Sequence, residues 1–291
     1  MASDLKAIRK RIASVKNTRQ ITRAMKLVAG AKLRRATDAA LAARPYNEKL
    51  NSLMADLLSR TEDRSNPLFR AREKVQRVRI IAFSADRGLC GSYNANVAKF
   101  VDDMVAKREG CQIEFVVVGR KIAEHARRTG YTVVESLSEI TPAQVEVTAR
   151  SLALDAVRDF ESGKVDEVYL VYQRFKSAIS QVVVSDLLLP LVVPESPDSE
   201  QEAEENLVDF IYEPSQGRVI DALLPQVVAN RVMKAFLEAT ASEHAARMTA
   251  MDNATRNASE LIDKLTLAAN KARQAAITKE LVEIVSGAEA L

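Results

Sequence analysis

Tryptophan is absent from this sequence, and aromatic residues make up only 5% of its 291 positions. Aliphatic residues and alanine must therefore do most of the packing, which favours a helix-rich architecture. No apolar run approaches the roughly 18 residues that a membrane span requires, because the longest, Leu187 to Val193, is interrupted by Pro190. The sequence thus predicts a soluble, globular, helix-rich chain that does not cross a bilayer.

Cysteine and histidine occur only twice each. Cys90 and Cys111 belong to no CxxC or Cys/His cluster, so neither zinc spacing nor a disulfide framework is present, and we expect two reduced thiols. His125 and His244 lie on separate predicted helices, with no HExxH motif and no nucleophile elbow. The sequence therefore predicts no catalytic residue, no metal ligand and no cofactor in this chain.

Proline and glycine are nearly missing from both ends of the chain. Before Pro45 only Gly30 occurs, and from Gln226 to Ser286 there is neither residue. Because proline and glycine interrupt helices, two long helices are predicted, over residues 1–59 and 217–291. The apolar seams expected from 3-4 spacing are Leu5, Ile8, Ile12 and Val15, then after a shift of phase Ile21, Met25 and Val28; and in the last helix Met251, Ala254, Ala258, Leu261, Leu265, Ala268, Ala272 and Ala275.

The two predicted helices pack most simply against each other, antiparallel, because the segment between them returns the chain. The last helix would be on the order of 100 Å long at its usual rise, longer than the first. Its final turns therefore extend beyond their partner. An apolar stripe on these turns is left for a protein outside this chain, and it consists of Ile277, Leu281, Ile284 and Val285.

The middle of the chain, residues 75–214, has a different pattern. Continuous apolar runs of strand length alternate with helical segments, which is typical of a small Rossmann-like α/β domain with a mostly parallel sheet. Strands are predicted at Val78 to Ser84, Ile113 to Gly119, Val165 to Gln173, Ala178 to Leu189 and Leu207 to Tyr212, and helices at Asn94 to Glu109, Arg120 to Thr129 and Thr141 to Ser162. The acidic segment from Glu195 to Glu205 indicates a solvated loop.

One loop in this domain stands where a nucleotide-binding fold holds phosphate. "SADRGLCGSYN", Ser84 to Asn94, follows the first strand and precedes a helix. It matches neither GxGxxG nor GxxxxGK[ST], so a structural turn is favoured over a phosphate cradle. Asp86 is its most notable side chain, as a helix cap or an interaction point.

Positive charge is concentrated at the start of the chain. The net charge is only +3, yet Met1 to Arg35 holds eleven Lys or Arg against the single Asp4. This pattern is compatible with nucleic acid, a membrane surface, an import leader, an acidic protein cavity or a solvated face. No interleaved aromatics support nucleic acid, and no Trp or Phe anchors support a membrane. The helical pattern continues without a cleavage-like break, so we expect mature structure and not a leader.

Three stretches together resemble the gamma subunits of F-type ATP synthases, of the bacterial type. They are "IASVKNTRQITRAMKLVAGAKL" at Ile12 to Leu33, "DRGLCGSYN" at Asp86 to Asn94, and the segment from Ser242 to the end, which includes "RQAAITKELVEIVSGA". The resemblance covers essentially the whole chain in the same order. A coiled-coil scaffold or a nucleic-acid-binding protein remains the alternative on spacing alone.

The resemblance implies a central rotor shaft made of the paired helices, with the α/β domain as a foot. Implied partners are three alpha and three beta subunits around the shaft, the epsilon subunit and the ring of c subunits, with no nucleic acid. Rotation of the shaft would couple ion flow to ATP synthesis on the beta subunits, or ATP hydrolysis to ion pumping. The implied location is the cytoplasmic face of a bacterial cell membrane, as a peripheral subunit.

The resemblance also implies individual contact residues. Met25, Glu243 and Arg247 match positions that meet the beta-subunit levers, and Arg273, Gln274 and Thr278 match positions that meet the beta catch region. Glu213 and Asp86 match the surface of the foot toward the c ring or epsilon. Ala268 and Ala269 depart from the bulkier pair common before "NKARQ". The paired regulatory cysteines of the chloroplast form are also missing, so no thiol switching is expected.

Overall fold

The computed structural model describes residues 2–59, 66–191 and 215–289 and divides into two compact units. The first unit consists of Met1–Ala31 and Arg247–Leu291, and the second of Lys32–Ala246. In chain order the elements are α1 (Ala2–Ser59), a short 3-10 turn (Pro67–Phe69), β1 (Arg77–Phe83), α2 (Tyr93–Ala106), β2 (Gln112–Val118), α3 (Arg120–Thr129), β3 (Thr132–Leu137), α4 (Val145–Glu161), β4 (Glu167–Phe175), β5 (Gln181–Leu189) and α5 (Gln216–Glu289).

The second unit is built on a five-stranded sheet in the order β3-β2-β1-β4-β5. Neighbouring strands run parallel except β4 and β5, which pair antiparallel. Burial on both faces explains the continuous apolar runs of β1 and β2, because a parallel sheet is covered by helices on each side. The prediction of an α/β domain with a mostly parallel sheet is therefore confirmed.

Each face of this sheet has its own apolar core. One core lies between the sheet and the helices α2 and α3, and it includes Ile80, Val117, Val101 and Ile122. The opposite core is larger, because α4 and the parts of α1 and α5 within this unit all contribute side chains. It includes Leu57 of α1, Phe160 of α4, and Leu224 and Phe236 of α5. The Phe83 and Phe236 rings meet edge to face with centroids 4.8 Å apart.

The strand β3 is the described element that the sequence analysis missed. It lies at the edge of the sheet, and its residues are exposed except for the half-buried Leu137. An exposed edge strand needs no apolar run, so the signal used for the other strands was absent here. The strand predicted from Leu207 to Tyr212 and the acidic loop lie outside the described residues.

The first unit is an antiparallel pair of helices, as expected. Lys26 of α1 donates to Asp252 of α5 with Nζ and Oδ1 2.6 Å apart. One turn away, the hydroxyl of Thr255 in α5 donates to the hydroxyl of Thr22 in α1 at 2.8 Å. A methyl group placed on Gly30 would lie 3.5 Å from the Met248 sulfur. As numbers rise in α1 the facing numbers fall in α5, which fixes the antiparallel direction.

The predicted phase shift in the α1 seam is wrong. Ile21 and Val28 are 60% and 57% exposed, whereas Thr22 and Ala29 are buried. Burial therefore continues the 3-4 spacing of Ile12 and Val15 without a shift, through small and polar residues. The prediction failed because it ranked positions by hydrophobicity, while the close partner helix favours small side chains at the contact.

A similar correction applies to α5. Met251, Ala258 and Leu265 face inward as predicted, but Ala268 and Ala275 are exposed and Ala269 is buried. The predicted Ala254, Leu261 and Ala272 are half-buried. Buried and half-buried positions include a 4-3 series at residues 251, 255, 258, 262, 265, 269, 272 and 276, with residues 252, 254, 259 and 261 half-buried beside it. Since this segment is rich in alanine, hydrophobicity alone could not separate neighbouring positions.

Candidate functional site

The loop after β1 has a structural task at the carboxyl edge of the sheet. Asp86 accepts hydrogen bonds from the backbone N–H groups of Arg120 and Glu139, at 3.1 and 2.9 Å. The Ser84 hydroxyl accepts from the N–H of Ile122 at 2.9 Å. The first turn of α3 is thus capped by side chains that follow β1. Its N–H groups are engaged within the protein, as expected for a cap and not for a phosphate cradle.

A small cavity of about 80 Å³ lies beside this loop. Its lining combines Ser84, Asp86 and Glu139 with Thr240 and Glu243 from α5. Gly119 allows the close backbone approach here, since its φ is +101° and an added Cβ would lie 2.2 Å from the Ser84 carbonyl oxygen. Glu139 also pairs with Arg120. Ser84, Asp86 and Glu139 on the cavity wall therefore already have hydrogen-bond or ion-pair partners within the α/β domain.

An ion-pair network around the buried Arg79 lies on the sheet face that α4 covers. Arg79 donates to Glu114 at 2.6 Å and to Asp159 at 2.7 Å, and Lys164 donates to Asp159 at 3.0 Å. Partial burial opposes ionisation of Asp159, but the hydrogen bonds from Arg79 and Lys164 outweigh it and lower the pKa of this carboxyl. Nearby, burial and then the Asp155 carboxylate raise the pKa of Glu135. These charges neutralise one another and hold α4 against β1.

His125 belongs to a small polar cluster between α2 and α3. Its Nε2 donates to Asp102 at 2.8 Å, and the hydroxyl of Tyr131 donates to the same carboxylate oxygen at 2.7 Å. Burial, and then the Asp102 hydrogen bond, raise the pKa of Tyr131 to about 12. The Tyr131 ring also stacks on Phe115 with centroids 5.0 Å apart. The cluster therefore packs α2 and α3 onto the sheet.

Neither a metal site nor a membrane-spanning helix is present among the described residues. Among residues 2–59, 66–191 and 215–289, no group of three or more His, Cys, Asp or Glu side chains is arranged to hold a metal ion. Within these same ranges no helix is both long and apolar enough to cross a bilayer.

The surface of the helical pair is the remaining candidate. Ile21, Leu27 and Val28 lie exposed on α1 among lysines and arginines. Toward the end of α5, Ile277, Leu281 and Val285 are 49%, 57% and 55% exposed. Apolar side chains repeated along an exposed helix face are typical of a protein contact surface. The geometry thus offers a binding surface made of two helices.

Comparison with known proteins decides the family. A family model described as ATP synthase matches residues 4–291. The ATP synthase gamma chain of Geobacter metallireducens is 45% identical, over 100% of this chain and 99% of its own length. The chain belongs to the ATP synthase gamma chain family. Another member, from Moorella thermoacetica, is also 45% identical, over 99% of both chains.

Solved structures of ATP synthase assemblies contain chains with the same fold. A chain of the Euglena gracilis mitochondrial ATP synthase in rotational state 3 matches with a TM-score of 0.67 at 18% identity, covering 100% of this chain and 95% of its own. A chain of the central stalk and c-ring structure from Tetrahymena thermophila matches with a TM-score of 0.58 at 24% identity, covering 80% and 99%. The scaffold and nucleic-acid alternatives are not favoured.

The residues expected from the gamma chain family fall in different places. Met25 and Arg247 are half-buried on the two facing helices of the first unit, and Glu243 lines the cavity of the second. Since Lys26 faces Asp252, Met25 lies roughly 9 Å along the axis from the level of Arg247. Arg273, Gln274 and Thr278 are exposed on α5. Glu213 and the side chain of Ile284 lie outside the described residues.

Sequence reasoning missed the residues that set the register of the pair. Thr22 and Lys26 of α1 bond to Thr255 and Asp252 of α5, and none of the four was selected beforehand. The available signal was weak: these positions continue the 3-4 spacing from Val15, but with polar side chains. The hydrogen bond from Lys26 is the main cause that lowers the pKa of Asp252.

Proposed function

We propose that this chain is the rotating central shaft of an ATP synthase and couples ion flow through the membrane sector to catalysis on the beta subunits. The observation that carries the proposal is the antiparallel pairing of the two chain ends, Thr22 against Thr255 and Lys26 against Asp252, in a chain that matches gamma chains along its full length. Such a pair is a stiff rod that can turn as one body.

Coupling requires that each angle of the rod stabilise one beta-subunit conformation over another. A partner shifts a conformational equilibrium only through its different interaction with the two states. The charged and apolar faces of α1 and α5 differ around the rod, so rotation would present a different surface to each beta subunit in turn. We infer that the catalytic sites lie on those subunits and that this chain has none of its own.

The partners in this proposal are three alpha and three beta subunits around the rod, with epsilon and the c ring at the α/β domain. Met25, Glu243 and Arg247 would meet the beta levers, and Arg273, Gln274 and Thr278 the beta catch region. The tip residues Ile277, Leu281, Ile284 and Val285 would turn in an apolar sleeve. Asp86 and Glu213 would face epsilon or the c ring. The complex would lie at the cytoplasmic face of a bacterial membrane.

Co-expression with the alpha and beta subunits of the same organism tests this assignment. We expect a stable complex that contains this chain and hydrolyses ATP. Replacing both Arg273 and Gln274 by Ala should lower ATP synthesis in coupled vesicles roughly fivefold, because the loss of the two contacts together is expected to cost about 1 kcal/mol. Arg256→Ala, another exposed arginine on α5, is the matched control. Failure of the chain to co-purify with alpha and beta would contradict the proposal.

A further inference from the structure

A short stretch of α5 is hydrogen-bonded to the carboxyl edge of the sheet. The Tyr93 hydroxyl at the start of α2 donates to the Ala239 carbonyl at 3.1 Å, and the Ser242 hydroxyl donates to the Gln173 carbonyl at 2.8 Å. The amide of Gln173 donates to the Tyr93 carbonyl at 2.7 Å, and the backbone N–H of Phe175 donates to a Glu238 carboxylate oxygen at 2.7 Å. We call the side chains of Tyr93, Gln173, Glu238 and Ser242 the clamp.

Three of the four clamp side chains are buried, and Glu238 is half-buried. Tyr93 and Gln173 are each 2% exposed and Ser242 is 0% exposed. Polar groups at such depth keep their hydrogen bonds, because a group that loses its partner there cannot turn to water instead. All four hydrogen bonds are therefore present together in the folded chain, and a small displacement of α5 would weaken them.

Apolar side chains make many of the other contacts between this α5 segment and the domain. Val232, Ala235 and Phe236 pack into the larger core. Apolar burial is non-directional, so such contacts resist separation far more than they resist turning of a helix about its own axis. Hydrogen bonds depend steeply on angle, and the clamp bonds reach α5 at positions 238, 239 and 242, which lie on one helix face.

We propose that the clamp is the torque-bearing joint between the sheet and α5, with Tyr93, Gln173, Glu238 and Ser242 as positioning residues that set its torsional stiffness. The inference rests on the proposed function, since torque passes through this joint only if the chain is a rotor. When the α/β domain is turned, the directional bonds turn α5 with it. Without them the sheet would turn through a larger angle before α5 followed. Part of each rotation step would then be taken up by twisting of the joint.

A torsional-fluctuation experiment on the assembled complex tests the joint. The complex is fixed through its beta subunits and stalled with nucleotide, and a rod is attached to a cysteine at exposed Arg127 on α3, in a Cys111→Ala background. The variance of the rod angle measures stiffness. We expect the Tyr93→Phe, Ser242→Ala double variant to raise this variance by a factor of roughly 1.5, because two of the directional bonds are lost.

Thr240→Ala is the matched control, because its hydroxyl donates to the Phe236 carbonyl within α5 and not to the sheet. It removes a hydroxyl from the same helix and should leave the variance unchanged. The single Tyr93→Phe variant, with a smaller expected rise, serves if the double variant does not assemble. Thermal unfolding and ATP hydrolysis are measured alongside, since a merely structural role would lower the melting temperature without changing the variance of the folded complex.

The outcomes separate the two proposals. If the unmodified complex does not rotate its rod under ATP, the proposed function fails. If it rotates and the clamp variants show the same variance as Thr240→Ala, the proposed function stands and the clamp proposal is overturned. Larger variance in the clamp variants alone supports the joint.

Discussion

Ser84 and Asp86 close the N-terminus of a helix that begins 34 residues beyond Asp86. A short glycine-containing loop after a strand suggested a cap or an interaction point, and the sequence could not choose between them. The choice depends on which backbone N–H groups come within reach, and that distance is set by the pairing of β1 with β2. The local motif was therefore enough to find the loop, whereas its role as the cap of α3 depends on long-range packing.

The buried Arg79 network predicts a pH dependence of stability. The folded pKa of Asp159 is lowered, so its contribution is present above the ordinary Asp value and is lost as pH falls through the lowered value. We expect Asp159→Asn to reduce the free energy of unfolding by about 2 kcal/mol at pH 7, because two charge-assisted hydrogen bonds weaken.

Urea unfolding at several pH values measures this effect. The difference between Asp159→Asn and the unmodified chain should shrink as the pH falls below the ordinary Asp pKa. Asp155→Asn is the control, because the ion pair of Asp155 with Arg158 is exposed and its loss should cost far less. A difference that stays constant from pH 7 to pH 3 would show that the charge of Asp159 contributes nothing.

Substitutions of Gly30 test how closely α1 and α5 approach each other. It lies inside α1, where glycine has a higher conformational cost than alanine, and an added methyl would meet the Met248 sulfur at an ordinary 3.5 Å. We expect Gly30→Ala to stabilise the chain by roughly 0.5–1 kcal/mol in urea unfolding. Gly30→Leu should instead destabilise it by about 1–3 kcal/mol through overpacking. Equal effects of both substitutions would argue against close helix contact here.

At the scale of elements, the two long helices and four of the five strands could be predicted from apolar pattern and from missing proline and glycine. The edge strand β3 could not, since its outward residues need not be apolar. The seam of α1 was predicted in the wrong phase after Val15, because Thr22 and Ala29 are less hydrophobic than their exposed neighbours Ile21 and Val28. Which face is buried depends on the partner helix, and only the assembled pair reveals it.

The corrected register predicts a specific disulfide. Thr22→Cys with Thr255→Cys should cross-link within one chain on mild oxidation, because the two hydroxyl oxygens are already 2.8 Å apart and each cysteine sulfur stands on the same Cβ as the hydroxyl that it replaces. A shift in mobility on a non-reducing gel detects the bond. Ile21→Cys with Thr255→Cys is the control and should not cross-link, since Ile21 is 60% exposed. Equal yields from both pairs would mean that the seam is in the wrong register.

At the scale of the whole molecule, family membership follows from the match over residues 4–291, and the antiparallel helical pair gives it a physical basis. The sequence analysis reached the same family from motifs at both ends of the chain. Exposed apolar residues such as Leu281 make sense only when partners are included, because an isolated helix gains nothing from exposing them. The contacts with alpha, beta, epsilon and the c ring therefore remain predictions that require the assembled complex.

The most direct test of the rotor account is observation of rotation. The complex of this chain with alpha and beta subunits is fixed through beta, and a rod is attached at Arg127→Cys on α3. The account predicts that ATP drives the rod in one direction and that the Thr22–Thr255 disulfide leaves this rotation intact, since both residues belong to the same rotor. ATP hydrolysis at an undiminished rate with the rod stationary would contradict the account.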